Sequence, residues 1–296
     1  MYELVQVGEN SFYIESPAKV GIVRTGENEV CLIDSGSDKD GGKKVLRVLE
    51  QQGWTLKAIY NTHSHADHIG GNKFLQDRTG CKIYAPGGMD WAITNVPLLE
   101  PAFLYGGFSP ANLRHKFVMA QPSVAEPLTE DVLPAGMELI DLRGHGFEMV
   151  GLRTGDDVVY LADCVSSHAT LDKYGITFNY DIASHLETLE RVKEMKAKIF
   201  VGAHIEPTED VRELAQYNID KTLEVAAKIV ELCRTPQTFE EVLQKLFLDY
   251  NMKMNFDQYV LIGSTVRSYM AWLKNEGRLD VDFVDAKMLW KTVQEI

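Results

Sequence analysis

Three histidines and one aspartate fall within six positions in the segment Asn61-Thr62-His63-Ser64-His65-Ala66-Asp67-His68-Ile69-Gly70-Gly71. Imidazole nitrogens and carboxylate oxygens are good donors for zinc, iron or manganese. The segment follows residues 56–60, a short apolar run that reads as a buried strand. Two residues apart in an extended chain, His63 and His65 project to the same side. Asp67 and His68 then fall at the turn into a helix, where Asp67 is expected as the N-cap. Gly70 and Gly71 let backbone approach closely beside the cluster. A polar loop in which histidines merely gather is the bland alternative, and so dense a group at a strand end weighs against it.

The HxHxDH pattern followed by Gly-Gly resembles the signature of the metallo-β-lactamase superfamily, and further likenesses follow in chain order. Arg143-Gly144-His145 resembles the family's second histidine motif. Tyr160-Leu161-Ala162-Asp163 resembles the strand that delivers a bridging aspartate, and Val201-Gly202-Ala203-His204 the strand that delivers the last histidine. The resemblance covers roughly residues 1–210. It implies two adjacent divalent metal ions, with zinc, manganese or iron all compatible with the N/O ligand set. His63, His65 and His145 would hold one ion; Asp67, His68 and His204 would hold the other, with Asp163 between them. A hydroxide shared by the two ions would then attack the substrate, and Asp67 would help to orient it. Two departures stand out. The second motif continues as Gly146-Phe147-Glu148-Met149, without the family's usual hydroxyl and proline, and Glu148 is expected to be a solvated charge. Cys164 follows the bridging aspartate, and strand phase turns it into the core.

The elements that must position these residues alternate between strand and helix. Strands are expected at 11–14, 20–23, 29–33, 56–60, 81–84, 138–142, 157–161 and 198–201. Helices are expected at 42–52, 69–77 and 182–196. That alternation is an α/β pattern, and the resemblance implies the αββα four-layer sandwich of the metallo-β-lactamase fold. Residues 86–134 break the rhythm with Pro, Gly and aromatics, among them Trp91, Phe103, Tyr105, Phe108 and Phe117. This insert is expected to be a long irregular stretch that lines a pocket, or covers a sheet edge or oligomer interface.

From Arg212 the texture becomes mainly helical. Thr238-Phe239-Glu240-Glu241 is a capping-box opening, a further helix is expected over 256–274, and a short strand pair should close the chain. The tail resembles the winged-helix-like domain of some superfamily members. The expected organisation is therefore a catalytic domain over 1–211 and a small helical domain over 212–296. No basic stripe runs along 259–274, so the tail points to packing or homodimerisation rather than nucleic-acid binding.

Composition narrows the function. The 296 residues carry a formal charge of −13, 45% hydrophobic and 25% charged residues. That balance fits a globular protein and disfavours broad attraction to nucleic acid or anionic membrane. No basic n-region or apolar h-region opens the chain, so a cytoplasmic location is expected. Cys31, Cys81, Cys164 and Cys233 show no CxxC pairing and read as buried thiols. His115, His168 and His185 lack spacing partners; His115 sits in a basic knot that reads as surface, and His168 is placed near the site mouth. The leading expectation is metal-dependent hydrolysis of a small ester, thioester or lactone. A phosphodiesterase or ribonuclease, and a mononuclear iron dioxygenase acting on a thiol-derived substrate, are the alternatives.

Overall fold

A computed structural model describes residues 2–293, and its first half follows the expected alternation. Strands β1 (Leu4–Gln6), β2 (Ser11–Ile14), β3 (Val20–Arg24) and β4 (Glu29–Ile33) form an antiparallel run. Helix α1 (Lys39–Gln52) begins three residues earlier than expected, because Asp38 caps it by accepting a hydrogen bond from Gly41 N at 2.8 Å. Gly53, at φ +70°, ends it. Strand β5 (Thr55–Tyr60) then pairs parallel to β4.

The histidine segment departs from expectation at its helix. Instead of one helix from residue 69, the chain forms a single turn, α2 (Ala66–Ile69), and restarts as α3 (Asn72–Thr79). The N-cap is His65, without a side-chain cap bond, and Asp67 lies inside the first turn. Asp67 is therefore free to turn its carboxylate elsewhere. The break between the helices is enforced by crowding. A Cβ on Gly70 would strike the Ser37 carbonyl, and one on Gly71 the Ser35 carbonyl oxygen.

Strand β6 (Lys82–Ala85) continues the sheet, and the insert follows. It is not irregular throughout: it contains α4 (Gly88–Asn95) and α5 (Leu99–Tyr105). Short helices bounded by Gly and Pro are difficult to distinguish from loop by composition alone, so the sequence does not announce them. Strand β7 (Glu126–Pro127) closes a seven-stranded sheet in the order β1 to β7, parallel from β4 onward.

A second sheet of four strands, ordered β11-β10-β9-β8, is built from β8 (Glu138–Asp141), β9 (Val150–Arg153), β10 (Val158–Ala162) and β11 (Ile199–Gly202). Helices α6 (His168–Tyr174) and α7 (Ile182–Glu194) lie between β10 and β11 in the chain. The two sheets meet face to face: Tyr13, Ile33 and Tyr60 of the first share a buried cluster with Leu152, Val158 and Tyr160 of the second. Val45 and Leu49 of α1 and Leu75 of α3 cover the outer face of the first sheet. Leu189 of α7 covers that of the second, together with Ala215 and Ile219 of α8 (Arg212–Leu232). The layers are thus αββα, as the resemblance implies. Tyr160 pins the sheets together by donating to Phe12 O at 2.7 Å.

The C-terminal portion adds α9 (Phe239–Asp249), α10 (Phe256–Asn275) and the antiparallel hairpin β12 (Leu279–Val284) and β13 (Lys287–Thr292). Both halves of the Thr238–Glu241 capping box form. Val225 and Ile229 of α8 pack with Val242 and Leu246 of α9 and with Val266 and Met270 of α10 in a core of their own. The boundary expected at 211/212 therefore falls at the start of a helix that serves two cores. Residue 1 and residues 294–296, at the ends of the two expected domains, lie outside the described residues. All four cysteines are free and buried.

Gly71→Ala should lower stability by about 1–3 kcal/mol, the usual cost of overpacking. Urea denaturation of the variant beside the parent checks this, and an unchanged midpoint would mean that the helix break tolerates a side chain.

Candidate metal centre

Every candidate ligand sits just beyond the C-terminal end of a strand, where open α/β sheets present their sites. His63 follows β5, Asp163 follows β10 and His204 follows β11, while His145 lies in the loop between β8 and β9. The chain is bent sharply at one of these exits and at the neighbouring end of β4. Asp34, at the end of β4, has φ +63°, and Ala162, immediately before Asp163, has φ +49°. Such conformations are unfavourable for residues other than glycine and cluster at functional sites.

The structure brings all the candidate residues together in two clusters: His63, His65 and His145; and Asp67, His68, Asp163 and His204. In the first, His65 Nδ1 lies 3.0 Å from His63 Nε2 and 3.0 Å from His145 Nε2. In the second, His68 Nε2 lies 3.3 Å from Asp163 Oδ1, and His204 Nε2 lies 3.2 Å from Asp67 Oδ2 and 3.4 Å from Asp163 Oδ2. Asp163 also faces the first cluster, with Oδ2 3.6 Å from His145 Nε2.

The outer nitrogens of His63, His68, His145 and His204 are hydrogen-bonded. His63 Nδ1 lies 3.0 Å from Thr62 Oγ1, whose hydroxyl donates to Asp34 Oδ2 at 2.8 Å. His68 Nδ1 is 2.7 Å from that same carboxylate oxygen. His145 Nδ1 and His204 Nδ1 each donate to a backbone carbonyl at 2.9 Å, Phe178 and Pro17 respectively. His65 Nε2 faces Glu100 Oε1 at 3.7 Å. These partners place a proton on the outer nitrogen of His63 and His145, leaving bare lone pairs pointing inward. Lone pairs about 3 Å apart repel unless something positive lies between them. Two atoms of the second cluster, His68 Nε2 and Asp163 Oδ1, are buried without a hydrogen-bond partner. The donor set therefore fits metal ions.

The electrostatics divide the clusters. Burial holds His65 down to about 4 and, with the like charge of neighbouring rings, His145 down to about 3. His63 is also held well below its usual range, chiefly by burial. In the second cluster the carboxylates prevail. Asp163 is the main cause that lifts His204 to about 10. Burial opposes a charge on His68, but Asp163, Asp34 and Asp67 outweigh it and hold the ring well above its ordinary value.

Three residues near the centre carry no recognised signal in the sequence. Asp34 is visible there only as the end of a strand, yet it anchors two of the ligand rings. Asp90, on α4, accepts from Ser64 N and Oγ at 2.9 and 2.8 Å and from Glu148 N at 2.7 Å, so it ties the insert to both histidine loops. Burial raises it to about 6 despite these bonds. Glu100, on α5, is buried beside His65 and is lifted to about 8 by burial, then by Asp90 and Asp67. Glu148 is not the solvated charge expected: it is half-buried, and its carboxylate accepts from Met89 N at 3.1 Å at the start of α4. Cys164 lies fully buried in the core, as strand phase requires. His168 stacks on Tyr217 and pairs with Glu213. His115 faces Asp257 at 3.3 Å, and His185 is buried with its pKa lowered to about 4 by burial.

The clusters open into a pocket of about 230 Å³. Its walls come from three places: Pro101, Leu104, Leu113 and Val118 of the insert, Phe178 of the second-sheet unit, and Asp257, Val260 and Leu261 of α10. The insert thus has the pocket role, and the C-terminal portion helps to build the wall. Among the described residues that line it, none is Lys or Arg.

The sequence profile of the Metallo-beta-lactamase superfamily matches residues 14–204. Among solved structures, a metallo-beta-lactamase family protein from Thermus thermophilus has a TM-score of 0.72 at 16% identity, with 98% of each chain covered. A Beta-lactamase domain protein from Burkholderia ambifaria has a TM-score of 0.75 at 16% identity, covering 98% of this chain and 94% of that one. Identity at that level shows the fold alone. Among curated relatives, the hydroxyacylglutathione hydrolase of Erythrobacter litoralis is 46% identical over 57 residues, 18% of this chain. The match spans only 23% of that relative's length.

The split in ring protonation has a measurable consequence. Neighbouring carboxylates raise the pKa of His68 and His204 and so favour their protonated forms in the metal-free protein, and such a proton must leave before a metal binds. The rings of the first cluster are already neutral. Zinc titration calorimetry at about pH 7.5, in buffers of differing ionisation enthalpy, should show almost no proton release for the three-histidine cluster. The other should release up to two protons per ion, and its affinity should fall as pH drops. Equal proton release at both steps would overturn this assignment.

Proposed function

This chain belongs to the Metallo-beta-lactamase superfamily, and from that membership we propose that it is a hydrolase that uses two divalent metal ions to open a small ester, thioester or lactone. The observation that carries the reading is the pair of adjacent donor clusters at the floor of one narrow, mostly apolar pocket. His63 Nε2, His65 Nδ1 and His145 Nε2 would hold one ion, and Asp67, His68 and His204 the other, with Asp163 turned toward both. Zinc suits these donors, as do manganese and iron. When bound, such a pair supplies a water of strongly lowered pKa and polarises the scissile carbonyl.

The chain's own residues do the rest. Asp34, Thr62 and the carbonyls of Phe178 and Pro17 fix the ligand rings before any metal arrives, which lowers the reorganisation required at the reaction. Asp67 lines the pocket, with 42% of its side chain exposed. It can therefore orient an attacking water from the pocket side. The apolar wall excludes bulk water from the acyl group. The name of the curated relatives, hydroxyacylglutathione hydrolase, supports a thioester substrate. The pocket lining offers no cation for the carboxylates of glutathione, and with a net charge of −13 the chain gives little support to a nucleic-acid substrate. The hairpin and helices α9 and α10 support a winged-helix-like reading of the tail, here as a wall of the pocket.

Metal analysis of gently purified protein, followed by a screen of esters, thioesters, lactones and bis(p-nitrophenyl) phosphate, tests the proposal. About two equivalents of zinc or manganese and chelator-sensitive acyl hydrolysis are expected. One equivalent of iron with oxygen uptake would replace the proposal with a dioxygenase, and turnover confined to the phosphodiester would replace it with a phosphodiesterase. Asp163→Ala should lower kcat by more than about a hundredfold, since even outer partners of metal ligands are worth about 10–100-fold. It should also lose at least one ion while its circular dichroism stays unchanged. Near-parental turnover with both ions retained would contradict the two-ion mechanism.

A further inference from the structure

Among the described residues that line the pocket, Glu100 and Asp257 are the two acids that the chemistry above does not use. Glu100 is only 4% exposed, and it lines the pocket among Leu104, Leu113, Val118, Phe178, Val260 and Leu261. Its Oε1 is turned toward His65 Nε2, whereas Oε2 is buried with no hydrogen-bond partner. Leaving such an oxygen unsatisfied costs about 1–3 kcal/mol, and native structures rarely do so without a reason. A leucine would fill the same space among these neighbours at no such cost.

We propose that Glu100 is the specificity-determining residue of this pocket, its free Oε2 accepting a hydrogen bond from a hydroxyl or ammonium group on the apolar part of the substrate. The inference deepens the proposed function and rests on its reading that the pocket receives substrate. Several features point the same way. The oxygen can accept a hydrogen bond whether or not the carboxyl carries a proton. The other charged groups lining the pocket beyond the histidines are also carboxylates, Asp67, Asp163 and Asp257. Asp67 and Asp163 belong to the metal clusters and Asp257 faces His115 at 3.3 Å, so Glu100 is the acid left for a ligand. An anionic acyl group would meet repulsion there, and a plain alkyl chain would leave the oxygen unpaired. A buried site built to bond a donor discriminates strongly against an analogue that lacks it. The chain should therefore favour neutral or cationic substrates whose apolar moiety carries an N–H or O–H.

Two arms test this. The first compares kcat/KM for N-acetylcysteamine thioesters of butanoic, 3-hydroxybutanoic, 3-aminobutanoic and succinic acids in the parent, Glu100→Gln and Glu100→Leu proteins. The second measures binding of pentan-1-ol, 1-aminopentane and 1-chloropentane to the same proteins by calorimetry, with no turnover required. The parent should prefer donor-bearing probes by at least about tenfold and disfavour succinate. Glu100→Gln should keep the preference for hydroxyl and lose that for ammonium. Glu100→Leu should lose both and gain on butanoyl and 1-chloropentane. A parent protein with no preference for donors, or a preference unchanged in Glu100→Leu, overturns the proposal. If no thioester is cleaved but the binding preference appears and depends on Glu100, the proposed hydrolysis fails while this inference stands.

Discussion

Three imidazole nitrogens aimed at one another across about 3 Å are the constraint on which the rest of this structure depends. The inward nitrogens of His63 and His145 carry bare lone pairs, which repel unless something positive lies between them. The rings of His63 and His145 are fixed from behind, by Thr62 with Asp34 and by the Phe178 carbonyl. In the second cluster carboxylates raise the pKa of His68 and His204 and so favour their charged forms. The two arrangements are complementary halves of one centre. One offers neutral nitrogen donors; the other pairs the carboxylates of Asp67 and Asp163 with His68 and His204, whose protons a bound cation would replace.

Holding those rings sets demands on the fold. The ligands come from strand ends in two different sheets, so the sheets must not slide, and Tyr160 bonded to the Phe12 carbonyl is one of the pins. Asp34 and Ala162 accept left-handed backbone so that the chain can turn at the strand end and present a carboxylate. The exit of β4 braces the histidine loop directly: both Ser35 N and Ser35 Oγ donate to His68 O. Only glycine at 70 and 71 allows that approach. The insert and α10 are added around this frame, and together they convert an open edge into a pocket.

The candidate ligands are legible in the sequence because metal binding restricts both residue type and spacing. His63, His65, Asp67 and His68 lie in one short run, and His145, Asp163 and His204 each follow an apolar strand whose period is easy to read. The layered architecture is legible for the same reason. What cannot be read depends on contacts between segments distant in the chain. Asp34 looks like any residue at the end of a strand until His68 and Thr62 fold against it. Glu100 sits in a short helix between glycines and prolines, and nothing local marks it as buried. Glu148 reads as solvated because the start of α4, which it caps, is itself hidden in the sequence. Asp67 reads as an N-cap but is not one, because a chain that breaks at Gly70-Gly71 begins its helix one turn sooner.

The most direct measurement is X-ray absorption spectroscopy at the metal edge of the fully loaded protein. Metal–metal scattering from two ions within about 4 Å of each other, with imidazole scattering in both shells and no sulfur, is the expected result. A single ion without a metal neighbour, or a sulfur shell from Cys164, would contradict the account of the centre as two joined halves.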